Sequence, residues 1–152
     1  MRLAILTALA IVMAPSVSLA ATDIAVCGAS KGYSYYPQSG LTTVSGGSGW
    51  MPDGISQGRV TLSETGDKFD LLFVGAYGGV DSATNDGGQV ILVGRTDQAI
   101  AVVVNYPNTT VETYTFIKSA DGPELIWSSN KYGPGFPKIG AFRAPCSFLQ
   151  LQ

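Results

Sequence analysis

The sequence predicts an all-β fold: an antiparallel meander forming a small closed or partly open barrel, with a β-sandwich as the alternative architecture. Three observations carry this. Runs of β-branched and aromatic residues recur along the chain, separated by Gly, Pro, Asn and Asp at intervals of roughly 10–20 residues. No stretch sustains the periodicity of a helix. From Gln89 to Ser128 the apolar runs are joined by links too short for a crossover, which forces neighbouring strands to lie antiparallel.

The first twenty residues stand apart. Met1-Arg2 is a short basic start, Leu3 to Ala14 is an apolar run broken by Thr7, and Ser18-Leu19-Ala20 places small residues where a leader is cut. The run is shorter than the roughly 20 residues a membrane-spanning helix needs. We expect residues 1–20 to be a secretory signal peptide cleaved after Ala20. Residues 21–152 then form one domain with a Gly-rich N-terminal arm over 27–58. Removing twenty of 152 residues leaves 132, with 8 basic against 11 acidic side chains. The expected location is exported, in the periplasm or outside the cell, with no membrane insertion once the leader is removed.

Cys27 and Cys146 are the only two cysteines and lie near the two ends of that domain. In an oxidising compartment two such cysteines pair. The bridge would enclose 118 residues and contribute on the order of 4–5 kcal/mol on the chain-entropy model.

Along the domain, the arm contains Tyr33, Tyr35 and Tyr36 and the run Gly46-Gly47-Ser48-Gly49-Trp50. At most two short strands are expected there, near Tyr33–Tyr36 and Leu41–Val44, with the arm lying across the sheet or closing its edge. Arg59–Ser63 is a short strand, and Glu64–Lys68 is a turn with Gly66 available for positive φ. Phe69–Tyr77 (FDLLFVGAY) and Ala99–Tyr106 (AIAVVVNY) are apolar on both faces, which predicts strands covered on both sides. Gln89–Thr96 and Val111–Lys118 are further strands. In the latter, Tyr114 and Phe116 point inward and the threonines outward. Asp121-Gly122-Pro123 turns the chain into the strand Glu124–Ser128, and Gly133-Pro134-Gly135 breaks it again.

The chemistry is bounded mainly by what is missing. The chain has no histidine, and only 13% of its residues are charged, against roughly 25% in an ordinary domain. Histidine-based nucleophilic catalysis is thereby excluded, and with both cysteines paired no zinc site is expected. The acidic balance does not suit nucleic acid, whose phosphates demand clustered Lys and Arg. Asp81 to Gly88 fails the calcium-loop pattern, because Ala83 and Asp86 stand where a ligand and a glycine are needed. No cofactor, metal or catalytic residue is assigned. Asn108-Thr109-Thr110 matches a glycan-acceptor pattern and matters only in a source that glycosylates.

Two function classes remain. Asp53, Glu64, Asp67, Asp70, Asp81, Asp86, Glu112 and Glu124 are spread along the chain, and a glycan hydrolase needs two such carboxyls facing across a cleft. Asp70 stands out within an apolar strand, and an outward position paired to Lys or Arg is expected for it. A binding protein needs only a ring-lined surface. Tyr33, Tyr35, Tyr36, Trp50 and Asp53 combine aromatic bodies with polar tips and form the candidate ligand-binding set. Trp127, Tyr132 and Phe136 form a second aromatic group in the last third, and for both groups the two readings are rings that seal the ends of a barrel and rings that form a binding surface. The leading expectation is a non-enzymatic binding or structural protein whose ligand is a small molecule, a glycan or a protein. The alternative is the carboxylate hydrolase.

The arm from Cys27 to Tyr36, with Trp50, Asp53-Gly54-Ile55-Ser56, Asp86-Gly87-Gly88, Tyr114-Thr115-Phe116 and Trp127, resembles small exported proteins of proteobacteria. That resemblance spans most of the mature chain and implies a bacterial, exported protein but no activity. In size and meander the predicted barrel is similar to lipocalin-like folds, although the Gly-x-Trp start of lipocalins is missing because Gly49 directly precedes Trp50.

Overall fold

A computed structural model of the chain describes residues 20–37, 49–75, 78–133 and 137–151. The leader, the Leu41–Val44 strand, the Gly46–Ser48 loop, the Pro134-Gly135 break and Phe136 lie outside these residues.

Eleven strands form one antiparallel sheet, curled strongly into an open half-barrel. In chain order they are β1 (Thr22–Cys27), β2 (Ser30–Tyr36), β3 (Gly49–Ile55), β4 (Arg59–Thr65), β5 (Lys68–Val74), β6 (Val80–Ser82), β7 (Gln89–Arg95), β8 (Ala99–Tyr106), β9 (Thr110–Ser119), β10 (Gly122–Lys131) and β11 (Lys138–Leu149). The sheet order is β6-β5-β4-β1-β11-β10-β9-β8-β7, with β2 and β3 branching from β11. The partly open barrel is therefore the architecture, and the sandwich, which requires two facing sheets, is not.

Seven of the ten strand pairings are between strands adjacent in the chain. The run β7–β8–β9–β10 is the predicted meander, held by short turns, and β11 extends it. A second meander, β4–β5–β6, begins with the predicted turn, where Gly66 takes φ 60°. The two meanders are joined by β1, which lies between β4 and β11 and pairs with both. On the opposite side of the curl β7 comes close to β5 without a ladder, and Arg95 reaches Glu64 at 3.0 Å across this seam.

β11 is the branch point. Along one edge it pairs with β10 from Lys138 to Pro145. Its other edge is divided: Ile139–Arg143 takes β2, and Cys146–Leu149 takes β1. Gly28-Ala29 is the bend between β1 and β2, and the Gly28 amide donates to the Pro145 carbonyl there at 2.9 Å. Cys27 faces Cys146 directly in the β1–β11 register, and the two form the predicted disulfide, 119 positions apart in sequence. The arm thus does close a sheet edge, through the β2–β3 hairpin.

Alternation sets the core. On the concave side β8 buries Ile100, Val102 and Val104, β9 buries Tyr114 and Phe116, and β10 buries Leu125. Leu62 and Leu71 come from β4 and β5. Tyr114 and Phe116 point inward as the period-2 reading requires. The expectation that strands 69–77 and 99–106 are covered on both faces is corrected. Leu72, Val74, Ala101 and Val103 are only half-buried, because all the described strands belong to one sheet whose outer face carries no second sheet. Asp70 is also corrected. Among the described residues it pairs with no Lys or Arg, but accepts from the Leu71 and Thr84 amides and the Ser82 and Thr84 hydroxyls, pinning β6 and the following turn to β5.

Because the disulfide ties the branch point, reducing it or introducing Cys27→Ser with Cys146→Ser should lower the unfolding free energy by on the order of 4 kcal/mol. Denaturant titration with and without reductant measures this, and an unchanged midpoint would contradict the role given to the bridge.

Candidate functional site

The concave side of the half-barrel holds a cleft of about 410 Å³, within the size range of small-molecule sites, ~300–1,000 Å³. Its lining comes in layers because side chains two apart on a strand share a face. Beneath the lining lie the buried core residues Ala144, Leu125, Phe116 and Ile100, paired across β11, β10, β9 and β8. Above them runs an aromatic row. Phe142 and Trp127 stack with centroids 4.1 Å apart, Trp127 and Tyr114 at 5.6 Å, and Tyr114 meets Phe73 at 6.1 Å. Trp127 therefore has a ring on each face, and only its edge is free to meet a ligand. The next row toward the mouth is polar, with Gly140, Ser129 and Glu112 in register, and beyond it lie Lys138, Lys131 and Thr110.

Two glycines make room for the aromatic row. A Cβ on Gly140 would sit 2.5 Å from Phe142 Cε2 and 2.7 Å from Ser34 Oγ. A Cβ on Gly32 would overlap the Ala141 carbonyl oxygen and crowd Phe142. Phe142 occupies the space these absent side chains leave, which keeps it stacked on Trp127.

Asp53 is the organising charge at the rim. Ser34 Oγ donates to it at 2.7 Å, Lys138 Nζ at 2.9 Å, the Gly54 amide at 2.8 Å and Tyr36 Oη at 3.4 Å. Lys138 also lies 5.6 Å from the Tyr36 ring centroid. Partial burial pushes the Asp53 carboxyl up, but the Ser34, Lys138 and Gly54 hydrogen bonds outweigh it and hold the group below its ordinary value. Burial likewise lowers Lys138, and the hydrogen bond and charge of Asp53 more than reverse this. Tyr114 donates to Glu112 at 2.7 Å. Burial and the neighbouring Glu112 raise Tyr114 well above the ordinary phenol range. Burial, then the charges of Glu112, Asp86 and Asp70, push Tyr106 up to about 12. Both phenols stay protonated at neutral pH.

Three buried polar atoms of this cleft have no hydrogen-bond partner among the described residues: Ser30 Oγ, Ser129 Oγ and Trp127 Nε1. Ser30 and Ser129 are 5% and 3% exposed. A fourth such atom, Arg95 Nε, belongs to the seam. An unpaired buried polar group costs about 1–3 kcal/mol, and these three atoms lie just behind the cleft surface, closed off from solvent.

The five residues singled out in the sequence are brought to one hairpin but divided between its faces. Tyr36 and Asp53 lie at the cleft. Tyr33, Tyr35 and Trp50 lie on the convex face, where Trp50 is 62% exposed and packs against Tyr35 with centroids 5.6 Å apart. The division follows from register, which pairs Tyr35 with Trp50 and Gly32 with Asp53. Trp127 does not seal a barrel end but lines the cleft, and Tyr132 is exposed just beyond β10. Ser30, Ser129, Lys131 and Lys138 join the cleft with no signal of their own in the sequence. Carrying the alternation of Leu125 and Trp127 two residues further would have put Ser129 and Lys131 on the same face. Of the scattered acids, Glu64 and Glu124 are in ion pairs with Arg95 and Arg143, whereas Asp53, Asp86 and Glu112 line the cleft. Among the described residues no group of three or more acidic, Cys or His side chains is placed to hold a metal ion.

The Asp53 shift fixes a pH dependence. A lowered carboxyl contributes stability that is present above its unfolded value, ordinarily 3.8, and is lost as pH falls through the lower folded value. Unfolding free energies measured down an acid series should fall in that window for the native protein, and Asp53→Asn should remove that part of the slope. The raised phenol of Tyr106 works oppositely. Its share of stability is intact below its ordinary 10.0 and is lost as pH climbs through about 12. Absorbance titration of the phenolate should therefore show Tyr106 and Tyr114 ionising only as the fold opens. No protein-family model matches the chain, and no curated protein or solved structure is significantly similar to it.

Proposed function

We propose that the protein is an exported, non-enzymatic binding protein that holds a small polar molecule in the concave cleft of its half-barrel. The observation that carries this reading is the cleft itself, about 410 Å³, in which an aromatic row of Phe142, Trp127, Tyr114 and Phe73 lies beside the charged Asp53, Glu112, Lys131 and Lys138. A small molecule with both an apolar face and polar groups matches such a lining, which is mostly apolar with a few placed polar groups. Export is supported by the leader-like first twenty residues and by the Cys27–Cys146 bridge, which suits an oxidising, extracytoplasmic compartment.

The presence of Asp53, Asp86 and Glu112 on one cleft wall favours the hydrolase as a second reading. A glycosidase, however, needs one carboxyl raised so that it can donate a proton. Asp53 is held as an anion by Lys138 and Ser34, which suits positioning rather than proton donation.

Thermal unfolding against a panel of sugars, amino acids, nucleosides and small carboxylates tests the binding reading. A ligand at 100 times its dissociation constant stabilises the folded state by about 2.7 kcal/mol. At least one compound should raise Tm, be recovered unchanged, and lose its effect in Ser129→Leu, which fills the cleft. No shift from any compound, or a shift retained by Ser129→Leu, would overturn the cleft as the site. Conversion of the compound would restore the hydrolase.

A further inference from the structure

We infer that the convex face of β3, β2, β11 and β10 is a peripheral docking surface for an anionic lipid bilayer, separate from the cleft and resting on none of its contacts.

Register places the side chains of this face in three rows. The first is Trp50, Tyr35 and Ile139, the second is Pro52, Tyr33 and Ala141, and the third is Gly54, Lys31, Arg143 and Ile126. Trp50, Tyr33, Tyr35, Ile139 and Ile126 are all exposed. Apolar side chains gathered in one exposed patch mark a site of contact with another molecule or a membrane. From Lys31 to Tyr35 is roughly 13 Å along the strand, so only an extended partner covers the basic row and the Trp50 row together.

The face is basic on an acidic chain. The whole sequence carries 9 basic against 11 acidic residues. At the outward positions of these four strands, however, the charged residues are Lys31, Arg143 and Glu124. Lys31 and Arg143 stand directly opposite each other across β2 and β11, an arrangement in which like charges repel. Glu124 reaches Arg143 at 3.0 Å, but the Arg143 side chain is 74% exposed, so solvent weakens that pair. Among the described residues Lys31 is in no ion pair. Both cations line a shallow groove floored by Gly32, Gly54 and Ala141. A phosphate lying between them relieves their repulsion.

The apolar rows favour a bilayer as the source of that phosphate. Tyr35 and Trp50 are tilted 59° to each other, so they offer no common plane for a sugar chain to stack on. The fluid headgroup region needs no such plane, and Trp and Tyr are enriched there. Ile126 and Ile139 gain from contact with hydrocarbon and find no match in an acidic polysaccharide. A second copy would bring the same convex curvature, and two convex faces meet over far less than the roughly 800 Å² per partner of a stable interface. Lys and Arg beside such rings add attraction to anionic lipid. The strand backbones stay paired within the sheet, so side chains alone enter the lipid.

Vesicle sedimentation tests this. The protein purified after export should bind vesicles of equal parts phosphatidylcholine and phosphatidylglycerol, bind phosphatidylcholine alone far more weakly, and lose affinity as salt is raised. Lys31→Gln with Arg143→Gln should weaken the anionic binding about ten- to thirtyfold, and Trp50→Ala with Ile139→Ser should weaken it comparably. Lys68→Gln with Lys118→Gln, which removes two exposed cations from elsewhere, should change it by less than about twofold. Equal unfolding midpoints establish that the variants are folded. Failure to bind the anionic vesicles, or binding that survives both pairs of substitutions on the face, would overturn the proposal. Equal binding to the two vesicle types would also overturn it, since the basic row would then have no part. Binding to alginate in place of vesicles would give the face to an acidic polysaccharide. A dimer in sedimentation velocity that Trp50→Ala dissolves, without vesicle binding, would give it to a second copy. Either result overturns the bilayer.

Discussion

The fold depends on how one strand divides its edge. β11 serves β10 along one side and splits the other between β2 and β1, and the Cys27–Cys146 bridge sits beside the split. Without β1 held there, the β4–β5–β6 meander would have no ladder to the rest of the sheet, since it meets β7 only across an unladdered seam. Without β2 held there, the hairpin carrying Asp53 would be detached from Lys138 on β11. One covalent tie between the two ends of the domain therefore fixes both the closure of the curl and the rim of the cleft.

The layering of the interior is a second consequence of the same geometry. Because β8 to β11 run in direct register, each two-residue step along β9 and β10 advances the wall from aliphatic or Phe116 core, to Tyr114 and Trp127, to Glu112 and Ser129, while β8 stays aliphatic through Ile100, Val102 and Val104. The aromatic row is the boundary. Phe142 enters it only because Gly32 and Gly140 leave it room, and Trp127, enclosed by Phe142 and Tyr114, can then present nothing but its edge. The polar character of the cleft mouth is thus set by packing beneath it, and by Asp53 and Lys138 neutralising each other at its rim.

The meander from Gln89 to Ser128 is legible in the sequence because its strands alternate strongly and its turns are short and rich in Asp, Asn and Gly. The strands that are not legible share a cause. β3 reads GWMPDGI, and Gly, Pro and Asp look like a loop; Pro52 is tolerated there because, among the described residues, β3 pairs only with β2 and so has an edge with no ladder to break. β11 reads KIGAFRAPCSFL, where small residues replace the expected bulky ones on the face that Phe142 covers. Its identity as a strand resides in its partners more than in its own composition. The candidate site is half legible for the same reason. Asp53 and Tyr36 stand out by their chemistry, but the face each side chain takes depends on a register with β2 and β11 that no local pattern reveals. Ser30 and Ser129 carry no signal as serines.

The seam leaves its own mark on the outside of the molecule. β7 pairs only with β8 among the described residues, and its Ile91, Leu92 and Val93 are exposed; across the gap, β6 exposes Val80. An uncharged, β-branched edge of this kind is a template for adding a strand from another molecule. With a formal net charge of only −2, long-range repulsion gives that edge little protection against such pairing.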